Sequence, residues 1–291
     1  MKFEGVIPAL ITPIDAEGKL NVPVLEKLVN DLIAQGADGF YVCGATGEGV
    51  NIDKDVHMDM TRETIRIAAG RVPCIVHVAR MNYNEALELA AYAEKVGADG
   101  ISAIPPLFYK YTDDAIFAYY KRLCESVKIP VVIYNNPNTG VTFGVELLKR
   151  LFSIPNLTSI KWTNFDFYSV LRLKEAVPEA NVINGPDEML AMGLTAGCDA
   201  CIGTTYNFQL PLIKAIYNAH KAGDIAKARE LQIKANKIIA ALLAGNGILG
   251  TKLILSYMGY DVYYPVFPMQ KFSPEEEKAY VAGLREAGLE I

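Results

Sequence analysis

One phrase recurs along this chain: Gly36-Ala37-Asp38-Gly39-Phe40, Gly97-Ala98-Asp99-Gly100-Ile101 and Gly197-Cys198-Asp199-Ala200-Cys201. Each copy follows a helical pattern and precedes an apolar run. The leading glycine suits the left-handed residue that closes a helix. The apolar run after it reads as a strand buried on both faces. A repeated passage from helix into buried strand is the mark of a parallel α/β fold. Apolar runs place strands at 5–11, 38–43, 73–78, 99–104, 130–134, 158–162, 181–183 and 199–203. Amphipathic stretches lie between them at 22–35, 57–69, 83–96, 113–126, 144–152, 167–176 and 188–196, with an eighth at 210–221. Eight such units predict a (β/α)8 TIM barrel. A doubly wound open sheet is the alternative, and the even spacing favours closure. The barrel, carrying the active site, takes residues 1–222. Residues 223–291 form a C-terminal helical extension packed on it. There 225–243 reads as a helix, and Ser273-Pro274-Glu275-Glu276 reads as a helix start, with a capping serine and a glutamate three residues later.

At 291 residues and 51% hydrophobic, the chain can bury a large core. A net charge of −5 without a basic cluster disfavours nucleic acid and anionic membranes as partners. No apolar run approaches transmembrane length. The first apolar stretch contains Glu4 and Pro8 and makes a poor signal peptide. Five scattered cysteines fit reduced thiols and a cytoplasmic protein. Cys198 and Cys201 have redox-motif spacing but read better as a helix end entering a strand, with no second pair or nearby histidine to complete a zinc site. His57, His77 and His220 form no ligand spacing, so each reads as structural and no metal is expected. Gly245-Asn246-Gly247-Ile248-Leu249-Gly250 matches a dinucleotide fingerprint but follows a helix, so it reads as a helix–helix turn.

In a (β/α)8 barrel, chemistry gathers at the C-terminal strand ends. The sixth strand carries Lys161, in Thr158-Ser159-Ile160-Lys161-Trp162-Thr163. Burying an ammonium costs several kcal/mol, so a lysine there needs a partner or a task. A desolvated lysine becomes a nucleophile toward ketones. The bland reading is a strand-end lysine that snorkels to water. The other strand ends weigh against it. The second ends in Gly44-Ala45-Thr46-Gly47-Glu48, whose small residues let backbone N–H groups approach a carboxylate. The fifth ends in Tyr134-Asn135-Asn136-Pro137, the seventh in Gly185-Pro186-Asp187-Glu188 and the eighth in Gly203-Thr204-Thr205-Tyr206-Asn207. Alone, each has a structural explanation: a tight turn, a core aromatic or a helix cap. Their convergence on one rim favours a site.

With Gly-x-Thr-Gly-Glu at 44–48, Tyr-Asn-x-Pro at 134–137 and Ile160-Lys161, nearly the whole chain resembles the pyruvate-dependent class I aldolases. That family includes N-acetylneuraminate lyase and dihydrodipicolinate synthase. The resemblance implies that Lys161 forms a Schiff base with the C2 ketone of pyruvate or a sugar acid. It implies that Tyr134 moves protons, that Thr46 relays protons to Tyr134, and that Thr46 and Ala45 hold the substrate carboxylate. No arginine follows Tyr-Asn-x-Pro, where Asn138-Thr139-Gly140 stands, and Phe108 replaces a tyrosine that reaches into a neighbouring subunit. Both departures argue against the synthase branch. Lys161-x-Thr163, Asp187-Glu188 and Gly203-x-Thr205-Tyr206-Asn207 resemble the sialic acid lyases instead. That branch implies sugar contacts at Thr163, Gly185, Thr204, Asp187 and Glu188, and Tyr109 near a subunit boundary. It implies no cofactor, and pyruvate and a sugar acid bound by a homotetramer. Two residues depart from the lyase pattern: Ala45 stands for a serine and Pro186 for a tyrosine. Another 2-keto-3-deoxy sugar acid is therefore the alternative substrate, dihydrodipicolinate synthesis a lesser one, and a non-catalytic sugar-acid binding protein a remote one.

Overall fold

The computed structural model describes residues 2–291. The recurring phrase builds the same device three times. Gly36, Gly97 and Gly197 have φ of 93°, 94° and 96°, a conformation open to glycine at little cost. The next residue's N–H turns back five residues, as Ala37 N–H does to the Leu32 carbonyl, and so closes the helix. The aspartate then reaches sideways to the neighbouring strand. Asp38 accepts from Val6 N–H (2.7 Å), Asp99 from Cys74 N–H (2.8 Å) and Asp199 from Val182 N–H (2.9 Å). The phrase therefore ends a helix, starts a strand and pins the strand beside it.

Eight parallel strands result: β1 (Gly5–Pro8), β2 (Phe40–Val42), β3 (Cys74–His77), β4 (Gly100–Ala103), β5 (Val131–Asn135), β6 (Leu157–Trp162), β7 (Asn181–Asn184) and β8 (Ala200–Gly203). They pair in the order β1-β8-β7-β6-β5-β4-β3-β2, and a bridge from Ala9 to Tyr41 closes the ring. This is the (β/α)8 barrel, not the open sheet. The first strand is shorter than its apolar run. Past Pro8 the chain switches partner, with Ala9 N–H on the Gly203 carbonyl and Leu10 N–H on that of Tyr41.

Seven helices alternate with the strands: α1 (Val22–Ala34), α2 (Lys54–Ala68), α3 (Tyr83–Lys95), α4 (Asp113–Glu125), α5 (Val145–Phe152), α6 (Phe167–Ala176) and α7 (Leu190–Thr195). An eighth, α8 (Tyr206–Lys221), follows the last strand. The stretch expected as one helix over 188–196 opens with a 3-10 turn at Asp187–Met189. Helix α8 starts four residues before the expected Leu210. Its first turn is offset by a kink at Gln209, two residues before Pro211, whose ring cannot sit in a straight helix.

Three helices follow: α9 (Ile225–Leu243), α10 (Gly247–Tyr257) and α11 (Pro274–Glu286). The turn at Gly245 joins α9 to α10, and α11 carries the expected reciprocal capping of Ser273 and Glu276. Helix α10 has no counterpart in the sequence reading. Residues 249–255 are all buried, so it lacks the polar face that marks a helix. These helices are bonded to the barrel rim. Gln232 accepts from Ala191 N–H (2.9 Å) and donates to the Asp187 carbonyl (3.1 Å), and Asn236 donates to that of Glu188 (3.0 Å). Among the described residues no single helix is long and apolar enough to cross a membrane.

Candidate active site

Strand register sets the centre of the site. In the β5–β6 pair Tyr134 lies opposite Lys161, so both side chains enter the barrel together. The Lys161 Nζ stands 3.9 Å from the centre of the Tyr134 ring and 5.5 Å from that of Tyr41. It donates to Thr163 Oγ1 at 3.1 Å. Only 5% of Lys161 is exposed, and among the described residues no carboxylate pairs with it, so it does not snorkel to water. Gly185 makes the threonine contact possible. A Cβ there would lie 2.1 Å from Thr163 Oγ1.

The Tyr134 ring stands nearly perpendicular to those of Tyr41 (6.0 Å, 89°) and His77 (5.9 Å, 86°). Its hydroxyl accepts from Asn136 Nδ2 at 3.2 Å, and the Tyr41 hydroxyl donates to Ser102 at 2.9 Å. This aromatic floor was not visible in the sequence, where strand aromatics read as core. His77 Nε2 accepts from Ile104 N–H at 3.4 Å, and the His57 ring bonds the His77 carbonyl through Nε2 at 2.8 Å. Burial pushes His57 down to about 4 and His77 to about 3, so both are neutral at pH 7. Both sit as structural groups.

The loop after β2 is folded tightly. A Cβ on Gly44 would strike the Tyr41 ring at 2.3 Å, and one on Gly49 the Cys43 carbonyl at 1.7 Å. Glu48 and Gly49 N–H return to Ala45 and Gly44. The N–H groups of Ala45, Thr46 and Gly47 stay unpaired among the described residues, the arrangement an anion needs. Thr46 Oγ1 lies 2.7 Å from Thr204 Oγ1. No hydrogen bond joins Thr46 to Tyr134 among the described residues. The hydroxyl spans from the β2 loop to the β8 end instead.

Below this loop lies a feature the sequence reading missed. The Glu48 and Lys252 side chains are 1% and 0% exposed and form an ion pair at 2.5 Å. Glu48 also accepts from Val266 N–H (2.9 Å), and Lys252 donates to the Tyr264 carbonyl (2.7 Å). The signal was present: Lys252 is a lone charge in an apolar run, like Lys161.

Asp187 is placed differently from a free acceptor. Its Oδ2 takes Thr205 N–H (2.8 Å) and Thr205 Oγ1 (2.7 Å), while Oδ1 is buried without a partner. Burial outweighs these bonds and pushes its carboxyl up to about 6. Glu188 is half-buried and is the more open carboxylate of the two. Tyr109 is 68% exposed, stacked edge-on to Phe108 at 4.9 Å, and lies outside this cluster. The five cysteines are free and buried, and among the described residues no His, Cys, Asp or Glu cluster fits a metal.

A cavity of about 710 Å3 opens beside the cluster. Thr163, Gly185, Asp187, Glu188 and Thr204 line one side. Ile239, Leu242 and Leu243 of α9 and Ile248 of α10 line the other. A buried amine, a neighbouring phenol, an anion-binding loop and a cavity of substrate size together suit covalent chemistry on a small keto acid.

Comparison with known proteins agrees with this chemistry. The model of the dihydrodipicolinate synthetase family matches residues 2–287. N-acetylneuraminate lyase from Rhizobium meliloti is 36% identical over 287 residues, covering 99% of this chain and 95% of that one. Among solved structures, CdNal from Clostridium difficile in complex with mannosamine superposes with a TM-score of 0.94 at 28% identity, covering 99% of this chain and 100% of that one. Dihydrodipicolinate synthase from Aquifex aeolicus gives 0.93 at 27% identity and 99% coverage of both chains.

Proposed function

The chain belongs to the dihydrodipicolinate synthetase family, and from that premise we propose that it is a class I aldolase that cleaves N-acetylneuraminate reversibly to pyruvate and N-acetylmannosamine. The observation that carries the reading is Lys161, buried in the barrel mouth with its amine against Tyr134. Nζ attacks the C2 ketone of the open-chain sugar acid, and water leaves to give a protonated imine. The Tyr134 hydroxyl relays the proton from the C4 oxygen. The C3–C4 electron pair flows into the imine, and the C4 carbonyl departs as N-acetylmannosamine. Protonation of the enamine at C3 and hydrolysis release pyruvate and the free lysine. The unpaired N–H groups of Ala45 and Thr46 hold the substrate carboxylate and so aim the ketone at Nζ. Thr46, tied to Thr204, acts as an anchor in this scheme. Thr163 orients the amine, Gly185 makes room for it, and Glu188 and Thr204 meet the sugar hydroxyls. Asp187 shapes the turn that presents them.

The lyase relatives favour the sialic acid over the synthase substrate, as does Asn138-Thr139-Gly140 where a carboxylate-binding arginine would stand. Ala45 and Pro186 favour the second reading, another 2-keto-3-deoxy sugar acid. Borohydride trapping with N-acetylneuraminate as the sole carbonyl compound separates them, read by peptide mass spectrometry. A reduced pyruvyl group on Lys161 is expected. Labelling by pyruvate alone keeps the class and moves the substrate to the second reading. The exposed Phe108 and Tyr109 support a homotetramer of the 31.9 kDa chain, which light scattering checks. Five buried free thiols support a reducing, cytoplasmic setting.

A further inference from the structure

The loop after β2 is bracketed by two residues in an unusual conformation. Cys43 and Glu48 stand on either side of Gly44-Ala45-Thr46-Gly47, and both have φ of 55°, a left-handed region that non-glycine residues rarely enter. Such a conformation is costly and persists only where its surroundings hold it. Within the loop, Glu48 N–H returns to the Ala45 carbonyl (3.0 Å), and the Glu48 carbonyl takes Asn51 and Ile52 N–H (2.8 and 3.0 Å). On its flanks, Thr12 Oγ1 donates to the Gly47 carbonyl (2.6 Å), and Arg80 to those of Gly49 and Ile52 (both 2.9 Å). None of these bonds reaches the Glu48 side chain. Among the described residues, its partners all come from the C-terminal extension. One oxygen accepts from Val266 N–H (2.9 Å) and the other faces Lys252 Nζ (2.5 Å), which also donates to the Tyr264 carbonyl (2.7 Å).

Stability alone does not account for this pair. Replacing a buried ion pair by apolar residues of similar volume is often neutral or stabilising. An ion pair has what an apolar contact lacks, a required direction and distance. Here that direction fixes the residue after Gly47, and through it the turn that leaves Ala45 and Thr46 N–H free. Successive free N–H groups form an anion-binding concavity only while the turn keeps its dihedrals.

We infer that Glu48 and Lys252 are positioning residues for the substrate carboxylate: through this pair, the C-terminal extension holds the loop 44–48 in the shape whose N–H groups bind it. The pair acts through the loop and not on the ketone. The inference rests on the aldolase reading above and gives the extension a task in recognising the keto acid.

The test is borohydride trapping on Lys161 of the full-length protein with pyruvate and with methyl pyruvate, which has the same ketone and no carboxylate charge. The native protein should label at lower concentrations of pyruvate than of the ester. Glu48→Met/Lys252→Met replaces the pair by apolar side chains, while Thr12 and Arg80 still hold the flanks of the loop. The pyruvate concentration that gives half-maximal labelling should rise about tenfold, as for a lost hydrogen bond to a charged group. The ester curve and the maximal rate should barely move. Circular dichroism checks the fold, and if this variant does not fold, Glu48→Gln/Lys252→Met is read in the same way. A pyruvate preference that survives in the folded variant overturns the inference. An equal loss for both ketones does so too, since a merely structural role gives that result. A native protein that labels equally with both ketones has no carboxylate site and also overturns it. In each of these cases the native Lys161 adduct leaves the aldolase reading standing. No adduct from either ketone removes both.

Discussion

At the scale of single residues, the site depends on what stands next to the Lys161 amine. Its neighbours are an aromatic face and one hydroxyl, and the hydroxyl is there because Gly185 has no side chain. Lys161→Ala should abolish turnover and borohydride labelling while circular dichroism stays unchanged; measurable lyase activity in it would remove the Schiff-base role. Tyr134→Phe keeps the ring over the amine and removes only the proton relay. Its kcat should fall by about 10²-fold or more with little change in pyruvate affinity. A loss confined to affinity would recast Tyr134 as a positioning residue. Gly185→Ala pushes the Thr163 hydroxyl from its place, and kcat should drop at least tenfold in a protein that still traps pyruvate, more slowly. Lys161 was legible in the sequence because a charge in an apolar strand is costly. The same reasoning applied to Gly250–Leu255 points to Lys252. Tyr41 and His77 left no such mark, because a buried aromatic in a strand is what a core looks like.

Elements explain how those residues keep their places. The loop 44–48, α10 and the segment near Val266 come from distant parts of the chain and meet at the Glu48–Lys252 pair. Ile248 of α10 and the residue that caps it, Asn246, line the cavity, so the pair ties the anion loop to the far wall. Lys252→Met leaves a buried carboxylate unpaired and should cost about 3–5 kcal/mol in urea unfolding. Glu48→Gln/Lys252→Met removes both charges and should cost less than the single change. A double variant at least as unstable as the single one would show that the charge itself is needed. The strands and most helices were legible because their patterns are local: apolar runs, amphipathic faces and glycine stops. Helix α10 was not, since burial on every side erases the periodicity. The aspartates of the repeated phrase were read only as spacing. Their role as pins for neighbouring strands needs the strand order, which no local pattern holds.

At the scale of the whole molecule, three buried groups shape how stability responds near pH 5, and they act in opposite directions. His57 and His77 are depressed by burial to about 4 and about 3, so unfolding lets them take up protons below their ordinary value near 6.5. The stability they contribute is present above pH 6.5 and is lost as pH falls toward those values. Asp187 is raised by burial to about 6, so its contribution is present below its ordinary value near 3.8 and is lost as pH rises through 6. Near pH 5 these three groups take up about two protons at the histidines on unfolding and release about one from Asp187. Their share of the stability should then rise with pH by about 1.4 kcal/mol per unit. Asp187→Asn removes the released proton but keeps an oxygen for Thr205. Its slope should be steeper by about 1.4 kcal/mol per unit. Urea midpoints of both proteins at a few pH values around 5 measure the difference directly. Equal slopes would mean that Asp187 is already ionised there, held by Thr205 against the pull of burial.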